Sequence, residues 1–590
     1  MAPTVPAVRP RRPLRAGVRR VVAGVLAGAL AAGCATPAAE PDPQATEPIA
    51  AGATGDPGSG PAEPVGPDGA TDAAPAAASP SPEPVSVDPE VARRVGTLLA
   101  RPDLALPGGR LAVAVRDARG RAVFDLDSTA PLLPASTLKL VTAAAALDRW
   151  GPTHRFRTHV DATATPGAGG VLDGDLVLVG DGDPVLATPL YGEAAYPQRP
   201  RTPLEDLAAG VAAAGVTRVT GDVVVTGVLP RPWLASGWKD EYLVDLDARR
   251  ITGVSVDAGL RLVLAPGVEL EVGGEPAAEE RATPPAGTGA SPSPSPAPPA
   301  DPALRTFVRL PVRSDGTPID PRDLRVEQSE EPARTAGAAL RLLLAEVGVE
   351  VEGDVVVGSL PLVDGTRPRL ASVASPPLAV LLSHTVRESD NHLADTLFRL
   401  LGRRPGDGSW LAGAGGTVQA LSGRDLDTTA LRLADGSGLS RDDRATAAFL
   451  ADLDATMSRS RSAVTWREIA AVAGVEGTLR RRLRGTRAEG RLLAKTGSLD
   501  DVVALVGRVE GAVASTERYH LAVVANDVTG AERAVVLRLV DDLAILLAAA
   551  LDGCPQPPAA PPAPTPSPSG TAGSPPAPSP VPAAPDAGCA

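Results

Sequence analysis

The sequence predicts a mixed α/β (α+β) fold in which a domain of one antiparallel sheet and several helices is interrupted by a β-rich insertion. Two strand-like stretches and an apolar helix open the interpretable part of the chain, and three strand-like stretches and a long helix close it. Short strands separated by Gly-Asp turns lie between them. Because both ends supply strands and a helix, we expect them to pack together as one domain.

The first elements are a hairpin and a helix. Arg110–Arg116 alternates as a strand does, residues 117–120 predict a turn, and Ala122–Leu126 returns as the second strand. Residues 136–150 are apolar and rich in alanine. That pattern predicts a helix buried on most of its faces.

The last elements are three strands and a helix. Residues 492–498, 502–509 and 520–525 are predicted to be adjacent antiparallel strands, and Ala531–Leu551 a long closing helix. Turns of the insertion are marked by the Gly-Asp pairs that begin at Gly174, Gly180, Gly182, Gly221 and Gly353.

Length and composition predict the division into domains. At 590 residues the chain exceeds the roughly 250 to 300 at which one hydrophobic core stops growing, so more than one packed unit is expected. Tracts rich in proline, alanine and serine have too little apolar bulk to offset chain entropy. The predicted divisions are a signal peptide or membrane anchor (1–33), a disordered linker (34–88), a main domain (89–160 and 371–553), an inserted β-rich part (161–370) with a disordered loop (277–303), and a disordered tail (554–590).

Charge and cysteine content exclude several classes of protein. The net charge is -13 and there is no long basic run, which argues against a nucleic-acid partner. Three cysteines and five scattered histidines are too few for a disulfide scaffold or a zinc site of ordinary spacing. We therefore expect no metal and no cofactor. Whether Cys554 and Cys589 pair is left open.

The N-terminal segment predicts export. Residues 1–33 contain six arginines and no acid, and an apolar run that is too short for an ordinary membrane span ends at Cys34. Residues 30–34 (LAAGC) resemble a lipobox, whose cysteine would carry a lipid after cleavage. Lipidation at the outer face of the cytoplasmic membrane, simple secretion and an uncleaved anchor all remain open.

Lysine usage points to a catalytic site. The chain has three lysines (Lys139, Lys239 and Lys495) among 57 basic residues, so a retained lysine marks a place where a guanidinium does not serve. Asparagine is scarcer still, at Asn391 and Asn526. Three of these five residues lie in three short motifs: residues 136–139 (STLK), 389–391 (SDN) and 495–497 (KTG).

The spacing of the first motif predicts an activated nucleophile. Ser136 and Lys139 stand three residues apart, on one face of the predicted helix, so their side chains are expected to touch. A neutral amine can take the proton of a hydroxyl, and burial beside a second cation, Lys495, would lower the pKa of Lys139 enough for that.

The other two motifs supply groups for the substrate. Ser389 is predicted to relay a proton to the leaving amine, and Asn391 to orient the substrate backbone. Lys495 and Thr496 present a cation and a hydroxyl to a substrate carboxylate, and Gly497 leaves room for substrate to lie along the strand. We expect the backbone N–H groups of Ser136 and Ser498 to form the oxyanion hole.

Each motif alone also fits a structural role, since Ser-x-x-Lys and Ser-Asp-Asn occur as helix caps and Lys-Thr-Gly as a turn. The three together are expected by chance on the order of once in three thousand such chains. Their coincidence therefore favours a catalytic site.

The chain resembles the class C low-molecular-mass penicillin-binding proteins, the D-alanyl-D-alanine carboxypeptidase/endopeptidase family. The resemblance covers nearly all of residues 89–553, and the long separation of Ser136 from Ser389 suits the large insertion of that family. His392 and Asp501 depart from the family pattern, which has an apolar residue and a glycine there. The motifs that carry the resemblance are residues 134–139 (PASTLK), 178–184 (LVGDGDP), 373–377 (VASPP), 388–391 (ESDN), 435–441 (DGSGLSR), 474–479 (GVEGTL) and 494–498 (AKTGS).

The resemblance implies that residues 89–160 and 371–553 form a serine β-lactamase/DD-peptidase-like domain. It also implies a serine acyl-enzyme mechanism. Ser136 would attack the carbonyl between two D-alanines of a peptidoglycan stem peptide, or a D-alanyl cross-link, and β-lactams would act as inhibitors that acylate the same serine. The balance between carboxypeptidase and endopeptidase activity is left open.

Two other functions are alternatives for this sequence. A β-lactamase shares the acylation machinery, but the large insertion and the lack of a recognisable extra deacylating carboxylate motif argue against it. A non-catalytic module that binds cell wall or β-lactam would have no need of all three motifs.

Overall fold

The computed structural model describes residues 87–265, 307–309, 311, 317, 319–320, 323–358, 367–403, 407–511 and 516–553. The predicted signal or anchor segment, nearly all of the linker, the loop at 277–303, the tail and all three cysteines lie outside the described residues. The helices are α1 (Pro89–Leu99), α2 (Lys139–Trp150), α3 (Glu205–Ala213), α4 (Asp240–Val244), α5 (Pro332–Glu346), α6 (Leu378–Arg387), α7 (Asn391–Leu401), α8 (Trp410–Leu421), α9 (Ala447–Met457), α10 (Ala463–Glu468) and α11 (Ala531–Leu551).

The strands are short in the insertion and long near the C-terminus. They are β1 (Arg110–Arg116), β2 (Ala122–Leu126), β3 (Arg157–Ala162), β4 (Val171–Leu172), β5 (Leu176–Gly180), β6 (Leu186–Ala187), β7 (Thr202–Pro203), β8 (Arg218–Val219), β9 (Val223–Thr226), β10 (Leu260–Leu264), β11 (Leu324–Gln328), β12 (Glu350–Val351), β13 (Val355–Val357), β14 (Arg369–Ala374), β15 (Ala471–Val472), β16 (Leu492–Leu499), β17 (Val502–Glu510) and β18 (Arg518–Asn526).

One antiparallel sheet joins the segments before and after the insertion, in the order β15-β16-β17-β18-β1-β2. Strand β1 pairs with β18 along its whole length, from Arg110 opposite Asn526 to Arg116 opposite His520. This pairing confirms the predicted mixed α/β fold, in which both ends of the chain build one domain.

The two faces of this sheet carry different side chains, as the twofold period of a strand requires. In β1, Val113 and Val115 pack into a cluster with α1 and α11. Ala112 and Ala114 face the opposite way, into a cluster with α2, α7 and α9. The smaller alanines allow helix α9 to pack close to the sheet.

Helix α2 is buried as predicted, but its start differs. A 3-10 turn, Ala135–Leu138, precedes it, and the α-helix begins at Lys139. Ala135 has a positive φ of 47°, which a regular helix does not accommodate. The sharp turn therefore separates Ser136 from the helix proper.

The insertion contains a five-stranded sheet, β13-β9-β5-β3-β14. Strand β3 pairs antiparallel with β14, with Thr158 opposite Val373. The predicted limits of 161 and 370 therefore fall within two paired strands. The sheet extends to 157 and 374 because its outer strands are the segments that enter and leave the insertion.

Three Gly-Asp turns of the insertion stack on one another, where the parallel strands β5, β9 and β13 begin. The amide of Asp222 donates to Asp175 Oδ1 at 2.9 Å, and the amide of Asp354 donates to Asp222 Oδ1 at 2.8 Å. A Cβ on Gly221 would lie 2.7 Å from the carbonyl oxygen of Gly174, so glycine is required for the close approach.

Candidate active site

The nucleophile candidate, Ser136, lies in the tight turn ahead of α2. The turn is held by the loop at 435–441, where a Cβ on Gly438 would lie 1.9 Å from the carbonyl oxygen of Ala135. Only glycine allows this approach, and Gly438 also has a φ of 81°. The strained backbone at Ala135 is thus supported by a loop that is remote in sequence.

Lys139 lies beneath Ser136 and is completely buried. Its Nζ donates to Ser136 Oγ at 3.0 Å, to Asn391 Oδ1 at 2.6 Å and to the carbonyl oxygen of Ser437 at 2.8 Å. Burial lowers the pKa of Lys139 to about 8, although nearby carboxylates, led by Asp395, act in the opposite direction. The lysine can therefore exist as a neutral amine near physiological pH.

Asn391 joins the lysine to the insertion. It is the first residue of α7, and its Oδ1 accepts the bond from Lys139. Its Nδ2 donates to the carbonyl oxygen of Asp247 at 2.9 Å, which fixes the orientation of the amide. The side chain of Asn391 thus connects Lys139 to the inserted part of the chain through hydrogen bonds.

Ser389 lies at the corner between α6 and α7 with a positive φ of 63°. Its hydroxyl has no hydrogen-bond partner among the described residues. The structure brings its neighbour Asn391 to Lys139 but does not bond Ser389 to Ser136 or Lys139. Its part in proton relay stays a prediction.

Lys495 is buried in β16 and makes no ion pair with any described residue. Its Nζ donates to the carbonyl oxygen of Thr496 at 2.7 Å. Burial, together with the charge of Lys139, lowers the pKa of Lys495 well below its usual range. An anionic group of a substrate would raise that pKa and so favour the charged lysine.

Strand β16 runs beside the nucleophile turn. A Cβ on Gly497 would lie 2.9 Å from the carbonyl oxygen of Pro134 and 3.2 Å from Ala135 Cβ. Among the described strands, β15 pairs only with Leu493 and Ala494, so no described strand pairs with this edge of β16 from Lys495 onward. An extended peptide can add to the sheet at that edge.

The hydroxyls that flank Gly497 have partners of their own. Thr496 Oγ1 donates to Thr478 Oγ1 at 3.0 Å, and Ser498 Oγ accepts from Arg533 Nη2 at 2.6 Å. Arg533 also donates to the carbonyl oxygens of Asp500 and Val502 at 2.9 and 3.0 Å. It therefore fixes the end of the strand that bears Ser498, although sequence patterns gave no sign of this role.

Buried aspartates shape the 435–441 loop. Asp435 Oδ1 accepts from the amides of Ser437 and Gly438 at 2.9 and 2.6 Å. Asp395 Oδ1 accepts from the amide of Gly436 at 2.9 Å. Burial, and then the charge of Asp435, raises the pKa of Asp395 well above its usual range. These bonds place the carbonyl of Ser437 where Lys139 can donate to it.

A cavity of about 370 Å³ adjoins the site. It is lined by Ser498 and Leu499 at the end of β16 and by Tyr242 and Asp247 of the insertion. Arg441, at the end of the 435–441 loop, forms a two-point ion pair with Asp501, at 2.7 Å for each bond. Asp501, one of the departures from the family pattern, thus neutralises an arginine near the site.

His392 also departs from the family pattern. Its side chain forms no hydrogen bond with the catalytic groups. It is buried, and burial, with the charges of Arg199 and Arg249, lowers its pKa well below the usual range. A Cβ on Gly259 would lie 3.9 Å from its Nε2, so the neutral ring packs against the insertion.

Within the part of the chain that the structure describes, no group of three or more histidine, cysteine or acidic side chains is placed to hold a metal ion. No helix among the same residues combines the length and apolar character needed to cross a membrane.

A serine hydroxyl bonded to a buried lysine, beside the open edge of an antiparallel sheet, is the arrangement of a serine acyl-transfer enzyme. The model of the D-Ala-D-Ala carboxypeptidase 3 (S13) family matches residues 92–535. The chain therefore belongs to that family of serine peptidases, which confirms the resemblance and the enzyme class predicted from the motifs.

Two relatives show how far the likeness extends. A D-alanyl-D-alanine carboxypeptidase of Actinomadura sp. (strain R39) is 35% identical over 436 residues, which cover 69% of this chain and 77% of the relative. Carboxypeptidase DacB of Mycolicibacterium smegmatis is 30% identical over 456 residues, 73% of this chain and 83% of the relative.

The fold is also that of a solved structure, penicillin binding protein 4 of Haemophilus influenzae. The two superpose with a TM-score of 0.59 at 22% identity, over 76% of this chain and 98% of that one. The penicillin-binding protein fold predicted for the two ends of the chain is confirmed.

Proposed function

We propose that this serine D-Ala-D-Ala carboxypeptidase works through an acyl-enzyme on Ser136, cleaves peptidoglycan stem peptides and D-alanyl cross-links, and is acylated by β-lactams. The 3.0 Å hydrogen bond between Lys139 Nζ and Ser136 Oγ is the observation that carries the proposal. It pairs a nucleophile with a base whose pKa is about 8.

In the first step Ser136 Oγ attacks the carbonyl carbon between the two D-alanines. Its proton passes to neutral Lys139, and the backbone N–H groups of Ser136 and Ser498 bind the oxyanion. The C–N bond then breaks, and Lys139 gives up that proton, through Ser389, to the leaving amine of D-alanine. Water hydrolyses the remaining ester and restores the Ser136 hydroxyl.

Lys495 supports a substrate that ends in a carboxylate. Lys495 is buried, senses the charge of Lys139, and has no acidic partner among the described residues. A terminal carboxylate at Lys495 and Thr496 supplies the missing negative charge. A peptide with this end, laid along the open edge of β16, brings its last amide bond toward Ser136.

Peptidoglycan lies outside the cytoplasmic membrane, so the enzyme is exported. We also propose that Cys34 is lipidated, because residues 30–34 (LAAGC) resemble a lipobox. Labelling with a fatty-acid analogue in cells that produce the protein or its Cys34→Ala variant tests this. Loss of label in the variant is expected, and equal label in both would contradict lipidation.

Intact-mass spectrometry with penicillin tests the acyl-enzyme. A stable shift of one adduct is expected for the protein and no shift for Ser136→Ala. A shift that disappears within seconds while the drug is consumed would instead indicate a β-lactamase. Absence of any shift, in a protein that also releases no D-alanine from a D-Ala-D-Ala peptide, would favour a non-catalytic binding module.

A further inference from the structure

Asp390, between Ser389 and Asn391, uses its two carboxylate oxygens for different purposes. Oδ1 accepts from the amide of Leu393 at 3.0 Å and so caps the N-terminus of α7. Oδ2 faces two basic groups, His384 Nε2 at 3.4 Å and Arg199 Nη2 at 3.2 Å. The carboxylate thus ties the first turn of α7 to groups outside that helix.

Arg199 comes from the insertion, far from the motif in sequence. Its side chain is 7% exposed, and its Nη1 donates to the hydroxyl of Tyr191 at 3.0 Å. Burial raises the pKa of Asp390, but the nearby Arg199, His384 and Arg249 together have the larger, opposite effect. The pKa of Asp390 is therefore well below the usual range. The pair is therefore a buried contact between two charged groups.

The residues on either side of Asp390 need this support. Ser389 has a φ of 63°, a conformation that a residue with a side chain holds only when its surroundings impose it. Asn391 bonds Lys139 at 2.6 Å and therefore tolerates little rotation of the first turn of α7. A shift of Asp390 would move both neighbours.

We infer that Arg199 is a positioning residue, which holds Asp390 so that Ser389 and Asn391 keep their places beside Lys139 and Ser136. The insertion thereby takes part in assembling the catalytic centre. This inference rests on the proposed function, since it assumes that Ser136 is the residue acylated. Arg199 itself acts through Asp390, and its guanidinium is not required to touch the substrate.

The test is the second-order rate constant for acylation by the chromogenic β-lactam nitrocefin, measured on the whole protein. Arg199→Gln should lower this constant at least tenfold, on the scale of a misplaced catalytic group. Arg199→Lys keeps the charge and should recover part of the rate. Arg199→Gln and Asp390→Asn should be non-additive, because each removes the same contact.

Arg201→Gln is the matched control. Arg201 lies two residues away and pairs with Glu205 at 3.2 Å rather than with Asp390. The Arg201→Gln variant should be acylated at a rate within about twofold of that of the unchanged protein. Thermal unfolding of every variant reports folding separately. If Arg199→Gln does not fold, Arg199→Lys and Asp390→Asn decide the question.

An acylation rate of folded Arg199→Gln within twofold of the unchanged protein would overturn the inference, and so would full additivity with Asp390→Asn. Equal losses in Arg199→Gln and Arg201→Gln would also overturn it, because they would indicate general loosening of the insertion. The proposed function fails differently, through persistent acylation of Ser136→Ala.

Discussion

The side chain of Asn526 brackets the backbone of Leu133, three residues before the nucleophile. Asn526 Nδ2 donates to the carbonyl oxygen of Leu133 at 3.0 Å, and its Oδ1 accepts from the amide of Leu133 at 2.8 Å. Asn526 is 5% exposed and ends β18, the strand that pairs with β1. The central sheet therefore fixes the segment that leads into Ser136.

Replacing Asn526 by alanine should reduce both stability and acylation. The buried amide and carbonyl of Leu133 would lose their partners, at about 1 to 3 kcal/mol for each unsatisfied group. Urea unfolding and the nitrocefin acylation rate measure the two effects. Asn526→Asp keeps the acceptor but cannot donate to the carbonyl, so it should also be destabilised; an unchanged unfolding midpoint in both variants would contradict this account.

The pKa of Lys139 predicts how the acylation rate depends on pH. Only the neutral amine accepts the proton of Ser136, and its pKa in the free enzyme is about 8. The acylation rate should therefore rise with pH and level off above that value. Stopped-flow measurements with nitrocefin from pH 6 to 10 check the profile.

Lys139→Arg should lower the acylation rate by about 10² to 10⁴, since a guanidinium stays protonated. Lys239→Arg is the matched control, because Lys239 is partly exposed and pairs with Glu241 and Asp500. A profile that stays flat through pH 8, or equal losses in both variants, would argue against Lys139 as the base.

Gly497→Ala should slow acylation by about tenfold or more. The new Cβ would lie 2.9 Å from the carbonyl oxygen of Pro134 and 3.1 Å from Ala504 Cβ, so β16 and the nucleophile turn must move apart. Gly423→Ala meets no atom within 4 Å and serves as the control. Similar acylation rates in the two variants would show that this close approach is unimportant.

Protonation of Asp454 should lower the free energy of unfolding at acidic pH. Its carboxylate accepts from Arg508 Nη1 at 3.0 Å and Trp466 Nε1 at 2.8 Å, and bonds His520 Nδ1 at 2.6 Å, all in the core. Burial raises its pKa, but Arg508 and then His520 lower it, to about 2. Because the folded pKa lies below the usual 3.8, this stabilisation is present above about pH 4 and is lost as the pH falls toward 2.

Asp454→Asn should cost about 3 kcal/mol at pH 7, because it breaks a buried ion pair and leaves Arg508 with the more distant carboxylate of Glu510, at 3.3 Å. Urea unfolding at pH 7 and at pH 3 measures the loss, which should shrink at the lower pH. Asp452→Asn, whose side chain is 39% exposed, should cost less. A loss that does not depend on pH would contradict the assigned pKa.

Local sequence patterns predicted the first hairpin, α2, the last three strands and α11, and also contacts between residues that are close in the chain. The i, i+3 spacing of Ser136 and Lys139 gave their contact, and continuous apolar periodicity gave α11 with its observed bounds. The strand bounds in the C-terminal sheet differ from prediction by one or two residues, because ladder pairing continues beyond the apolar runs.

Contacts between distant segments could not be predicted in this way. Arg199 meets Asp390 and Asn526 meets Leu133 across long stretches of chain, and no periodicity links such residues. The one sequence signal for such residues was the rarity of their residue type. Asn526 and Lys239, like the three motif residues, are among the few asparagines and lysines of the chain. Arginine, by contrast, is abundant, so Arg199 and Arg533 could not be distinguished from the others.

The site draws its groups from stretches that lie hundreds of residues apart, on the central sheet, on α2 and α7, and in the insertion. A β-lactam can therefore label only chains in which all of these have reached their places together. Fluorescent penicillin would thus count correctly folded molecules in a mixture, and a chain cut within the insertion and separated from its other half would remain dark even if its own strands were intact.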